Sequence, residues 1–136
     1  ASAAYLDRYL SDGFTREAVA AAPSIAWNRD DALQDMLVRK AFRRAVPRPV
    51  HYVPTAEGFG AAVRAGLGWG MYPEQLAAQD LARGTFVQVA DLHLDVPLFW
   101  QCWKLDSPLI KTITDTVRSA AGKLRRPRSL RRSDGS

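Results

Sequence analysis

The sequence predicts an α/β fold, a mainly parallel sheet flanked by helices. Two observations carry this: short apolar runs with strand character alternate with segments of helical periodicity, and the stretch from Tyr52 to Pro73 compresses strand, helix and strand into one unit. Two strands joined through a helix in so few residues must run parallel, with a right-handed crossover.

Within that stretch, Pro54 keeps Val53 out of the helical region and interrupts the ladder, which frees Thr55 to cap a helix. Phe59, Ala62 and Val63 share one helical face, and Gly66 stands where a left-handed residue closes a helix. Residues 67–72 are apolar and extended, and Pro73 ends them and suits the first turn of the next helix.

The other elements follow in order. Tyr5, Leu6, Tyr9 and Leu10 make an amphipathic opening without a recognisable start, and the turn at Ser11–Gly13 precedes a short helix capped by Thr15. Residues 24–27 read as a short buried strand that stops at Asn28. Asn28 is the expected cap of the next helix, with Asp30 and Asp31 suited to its positive end and Leu33, Met36, Leu37 and Ala41 facing inward. That helix cannot pass Pro47 and Pro49, and residues 51–53 form the next strand. After Pro73 a helix runs to about Arg83, with Leu76, Ala77 and Leu81 inward and Gly84 as its stop. Residues 85–89 and 97–104 read as strands, and Ser107–Pro108 opens a last helix on the beat Leu109, Ile113, Val117, Ala120 and Leu124.

The 136 residues suffice for one core and contain no apolar run of membrane-spanning length and no secretory signal pattern. A single cysteine, Cys102, excludes a disulfide framework and a multi-cysteine zinc site, and a reducing, cytoplasmic setting is expected. Of the net charge of +5, residues 125–136 carry +4 through five arginines and one aspartate, so the basic character belongs to a tail expected to be disordered.

Ligands of open parallel sheets sit outside the carboxyl ends of the strands. Three such ends, Trp27–Asn28, Val53–Thr55 and Met71–Pro73, are expected along one rim, each followed by the free amides of a helix start that attract carboxylate or phosphate. Thr55 adds a hydroxyl, Asp30, Asp31 and Glu57 attract a cation, and Trp27 and Tyr72 wall the pocket. This combination suits a zwitterion, above all an amino acid with a basic side chain. The same residues also have plain structural readings as cap, dipole partners and core aromatics.

Other features are weaker leads. Gly66, Gly68 and Gly70 do not complete a dinucleotide fingerprint, His51 and His93 lack partners at metal-ligand spacing, and Cys102 reads as a small buried hydrophobe. No nucleophile stands beside a base, so an enzyme is not expected; nor is a cofactor or a metal.

Thr55-Ala-Glu57-Gly-Phe59, Val63-Arg-Ala-Gly66-Leu-Gly68-Trp-Gly70-Met-Tyr72-Pro73 and Leu81-Ala-Arg-Gly84-Thr-Phe86-Val87 together resemble the effector-binding domain of LysR-type transcriptional regulators. Within that family, Ala26-Trp27-Asn28-Arg29-Asp30-Asp31 resembles the branch that senses lysine or arginine and controls basic amino-acid export. The resemblance implies a two-lobed fold similar to type-II periplasmic binding proteins. Residues 1–96 would then be the second lobe with its inbound crossing, and 97–124 the return strand and helix of the first. It further implies a small amino-acid effector, a homo-oligomer, and DNA contact through a winged helix-turn-helix that lies outside this sequence. A solute-binding lobe of a transport protein shares the fold and is the alternative. On this reading the apolar face of the last strand and helix lacks its partner and favours self-association.

Overall fold

The computed structural model describes residues 1–124, so the expectation for the basic tail at 125–136 lies outside the described residues. The chain divides into two compact units, Ala1–Asp95 and Val96–Ser136.

The first unit begins with α1 (Ala3–Tyr9) and α2 (Arg16–Ala21). The start that the sequence hides is Ser2, whose Oγ accepts from the Tyr5 amide at 3.3 Å. Tyr5 is buried and donates its hydroxyl to the Pro23 carbonyl at 2.6 Å, fastening α1 to the approach of the sheet. Burial and the nearby Tyr9 push the phenol above its ordinary range.

Two three-residue strands follow, β1 (Ser24–Ala26) and β2 (Val50–Tyr52), paired parallel with Ser24 opposite Val50 and Ala26 opposite Tyr52. Between them runs α3 (Leu33–Phe42). The predicted strand at 67–72 contracts to one parallel bridge, Ser24 to Trp69, where the Ile25 amide donates to the Trp69 carbonyl at 2.7 Å. β1 is therefore flanked on both sides, which matches its complete burial. Two glycines allow the third segment in: a Cβ at Gly68 would lie 2.8 Å from Ile25 Cγ1, and one at Gly70 2.5 Å from Phe59 Cζ.

α4 (Ala56–Arg64) begins at Thr55, whose hydroxyl accepts from the Gly58 amide at 3.1 Å, and it is followed by Gly66 at φ +73°. α5 (Glu74–Ala82) follows Pro73. Of its predicted inward residues only Ala77 is buried, while Leu76 and Leu81 are exposed. α3 buries Gln34, Leu37 and Val38 rather than Met36, and its start is displaced by four residues from the expected one.

That displacement corrects the expected cap. Asn28 Oδ1 accepts from the Asp30 amide at 2.9 Å, closing a turn, and the Asp31 carboxylate accepts from the amides of Trp27 at 2.8 Å and Leu33 at 3.2 Å. Ala32 occupies the cap position and has no side chain to serve it, so Asp31 does so from one residue upstream.

The expected strand at 85–89 is not formed. Val87 exchanges two backbone hydrogen bonds with residue 1, at 2.8 and 3.1 Å, and Phe86 is buried, so the segment is anchored without a ladder.

The core of this unit has two parts. Tyr5, Val19, Leu37, Val38 and Trp69 anchor one; Ile25, Phe59, Val63, Ala77 and Phe86 form the other. Arg48 braces the first, its guanidinium 5.3 Å from the Trp69 ring centroid and hydrogen-bonded to Ser24 Oγ and the Val46 carbonyl, with Asp35 at 2.9 Å.

In the second unit, the expected strand at 97–104 is not formed either, since no neighbouring strand among the described residues of the unit completes a ladder. Cys102, expected to be buried, is exposed. α6 (Pro108–Gly122) matches the predicted helix but buries none of its residues, with Leu109 68% exposed.

Candidate functional site

Parallel pairing of Ala26 with Tyr52, and the bridge that places Trp69 beside Ser24, bring three chain segments out of the sheet at the same end. Beyond them lies a cavity of about 340 Å³, within the range of small-molecule sites. It is lined by Trp27 and Asp31 after β1, Leu33 at the start of α3, Ala56 and Phe59 of α4, and Met71 to Pro73 with Leu76 around the start of α5.

Four residues singled out in the sequence therefore border one cavity: Trp27, Asp31, Met71 and Tyr72. The other four do not line it. Asn28 and Asp30 are exposed in the turn that follows Trp27, Thr55 caps α4 with its hydroxyl, and Glu57 is exposed in the first turn of that helix. Because Ala56 lines the cavity, the start of α4 still borders it, and helix geometry leaves the first-turn amides there without intrahelical acceptors.

From the sequence, Leu33, Phe59 and Leu76 are expected to face inward and Pro73 to end the third strand, while Ala56 carries no expectation. The available signal was position, since each stands in the first turns of a helix that follows a strand end.

The aromatic wall is rigidly built. Tyr72 stacks on Phe59 with centroids 5.6 Å apart and meets Phe86 edge-on at 6.0 Å. Behind it, Arg64 joins α4 to α5 through a two-pronged contact with Asp80 at 2.8 and 3.2 Å, its guanidinium 5.4 Å from the Phe86 centroid. Hydrogen bonding to Arg64 holds the Asp80 carboxyl below the usual carboxylate range. Asp31 supplies the carboxylate of the lining, and its two oxygens are oriented by the amides of Trp27 and Leu33.

An apolar, aromatic hollow with one fixed carboxylate and helix-start amides at its edge can hold a small molecule that is cationic at one end and anionic at the other. No cluster of His, Cys, Asp or Glu among the described residues is placed to hold a metal, and no described helix is long and apolar enough to cross a membrane.

Known proteins resemble this chain in sequence and fold. The chain is 69% identical over 135 residues to the HTH-type transcriptional regulator LysG of Mycobacterium tuberculosis, covering 99% of this chain and 45% of that one. A crystal structure of ArgP from the same species superposes with a TM-score of 0.90 at 70% identity, over 94% of this chain and 44% of that one. The lysine export transcriptional regulatory protein LysG of Corynebacterium glutamicum is 39% identical over 122 residues, 89% of this chain and 41% of that one. A full-length LysG structure from that organism with bound effector Arg superposes with a TM-score of 0.75 at 37% identity, over 93% of this chain and 42% of that one. The chain thus spans less than half the length of these relatives. Residues 1–122 match the family described as the LysR substrate binding domain, and with that match and those relatives the chain belongs to it.

Proposed function

We propose that the chain is the sensing part of a LysR-type transcriptional regulator that responds to lysine or arginine and controls export of the basic amino acid. The observation that carries this reading is the shared cavity at the strand ends, with the Asp31 carboxylate facing the same space as Trp27, Met71 and Tyr72. The effector's carboxylate takes the amides at the start of α4 and its side-chain cation takes Asp31, while the aromatic walls receive the aliphatic stem. Asn28, Asp30, Thr55 and Glu57 each adjoin a lining residue in the chain. The naming of the relatives, and the arginine effector bound by one of them, support the choice of ligand.

In this reading the unit Ala1–Asp95 is the second lobe of a type-II binding-protein fold, and the following strand-like segment and α6 return to the first lobe. The switch is a population shift: an effector that binds the closed arrangement more tightly than the open one alters subunit packing in a homo-oligomer and the spacing of its DNA-binding heads. No enzymatic step is involved.

Isothermal titration of the full-length natural protein with lysine, arginine and histidine tests the proposal. Saturable binding of lysine or arginine, lost in Asp31→Ala, is expected; a protein that binds none of the three overturns the choice of effector.

A further inference from the structure

The far end of α3 carries a second feature. Arg39, Lys40, Arg43 and Arg44 place four exposed cations within six residues, and no Asp or Glu occurs between residues 36 and 50. The ion pairs Arg16–Glu17, Arg48–Asp35 and Arg64–Asp80 lie elsewhere, and none of them neutralises this group. Lys40 donates to the His93 carbonyl at 3.1 Å, which brings the segment containing Asp91 and Asp95 alongside without forming an ion pair.

The helix dipole accounts for part of the group only. Arg39 and Lys40 lie in the last turn, where cations are favoured, but Arg43 is the C-cap and Arg44 lies beyond it. Arg43 also sits at φ 58°, ψ 16°, the one non-glycine at positive φ among the described residues. Glycine or asparagine is the usual occupant of such a position. A cation held there against backbone preference points to use of the charge.

The occupant follows from the chemistry. Three of the four are arginines, whose forked guanidinium suits phosphate oxygens. The nearest aromatic, Phe42, is half-buried and stacked on Phe14 at 5.6 Å, so the turn presents neither an apolar centre for a protein interface nor a ring for an unpaired base. A duplex phosphate backbone fits what remains. Leu33, at the start of α3, borders the effector cavity, and the basic turn lies roughly 15 Å away along the ten-residue helix.

We infer that this basic turn is an auxiliary contact with the DNA phosphate backbone, separate from the effector cavity. The inference rests on the reading of the chain as part of a DNA-bound regulator. It is tested with the full-length natural protein and a labelled duplex that the protein selects from its own genomic DNA, by measuring affinity across a salt series. Replacing Arg39, Arg43 and Arg44 together by Gln lowers the slope of log affinity against log salt by about 3, and Arg43→Gly alone lowers it by about 1. Arg43→Gly also leaves the melting temperature no lower than the parent's, since glycine accepts the left-handed backbone, and effector affinity is unchanged in both variants.

A salt slope equal to the parent's in the triple variant overturns the inference. So does a normal slope combined with lost transcription in a reconstituted system, which assigns the turn to an acidic protein instead. A parent protein that selects no duplex removes the regulator reading, and the inference with it.

Discussion

Gly70 is the position where one methyl group should disturb both the core and the cavity at the strand ends. A Cβ there would lie 2.5 and 2.9 Å from Phe59 Cζ and Cε1 and 3.1 Å from the Ile25 carbonyl oxygen. The carbonyl belongs to the buried strand β1 and cannot retreat, so Phe59 must move. Phe59 is only 3% exposed and stacked on Tyr72, and its displacement pushes on the wall of the cavity. Overpacking of this kind costs about 1–3 kcal/mol. For a domain of this size each kilocalorie lowers the melting temperature by roughly 4–8 °C. Urea denaturation of Gly70→Ala measures the loss. Gly122→Ala serves as control, because a Cβ at Gly122 meets nothing within 4 Å. If the steric account holds, shortening the ring in the double variant Gly70→Ala/Phe59→Leu gives a cost below the sum of the two single changes, with a coupling of about 0.5–3 kcal/mol. A Gly70→Ala protein as stable as the parent, or strict additivity in the double variant, refutes the reasoning.

Four further outcomes are expected. Asp31→Asn keeps one acceptor oxygen but sets an NH2 donor against the second turn amide and removes the charge, so stability should fall by about 1 kcal/mol while affinity for lysine or arginine falls at least about tenfold, the loss of one charge-assisted contact; an affinity equal to the parent's by calorimetry would make Asp31 purely structural. Arg48→Ala should cost about 2–3 kcal/mol in chemical denaturation, because it strips hydrogen bonds from Ser24 and Val46 and the cover from Trp69. Asp35→Ala should cost less, as Asp35 is largely exposed and Arg48 keeps its other acceptors. Arg64 holds Asp80 below its unfolded-state pKa, so the contact is fully present above about pH 4 and is lost as pH falls through the lower folded value; Asp80→Asn should therefore lose less stability than the parent on acidification, and identical acid profiles would contradict this. The chain produced by itself should self-associate through exposed Leu98, Phe99, Trp103 and Leu109, which a monodisperse monomer in concentrated light-scattering samples would disprove.

Local chemistry made several elements legible in the sequence. Thr55 capping α4, Gly66 closing it, Pro73 preceding α5 and the 3.6-residue beat of α6 each depend on interactions within about a turn of chain, and each is present as expected. The parallel pairing of β1 with β2 was legible on a different ground, since a helical crossover dictates it.

Tertiary structure decided what depends on distant partners. Apolar runs at 67–72, 85–89 and 97–104 have strand composition, but a strand exists only where another backbone completes its hydrogen bonds. β1 makes a single bridge, at Trp69, Val87 pairs with residue 1, and 97–104 finds no strand among the described residues of its unit. The same dependence governs the cavity. The strand ends named it, but whether an acidic side chain faces inward or serves its own turn was set by where α3 begins. Asp31 lies on the lining, its carboxylate reaching forward to the Leu33 amide that Ala32 cannot cap, whereas Asp30, one residue away, is left in solvent. Short-range physics sufficed to say which segments meet; only the assembled contacts could choose among neighbouring side chains.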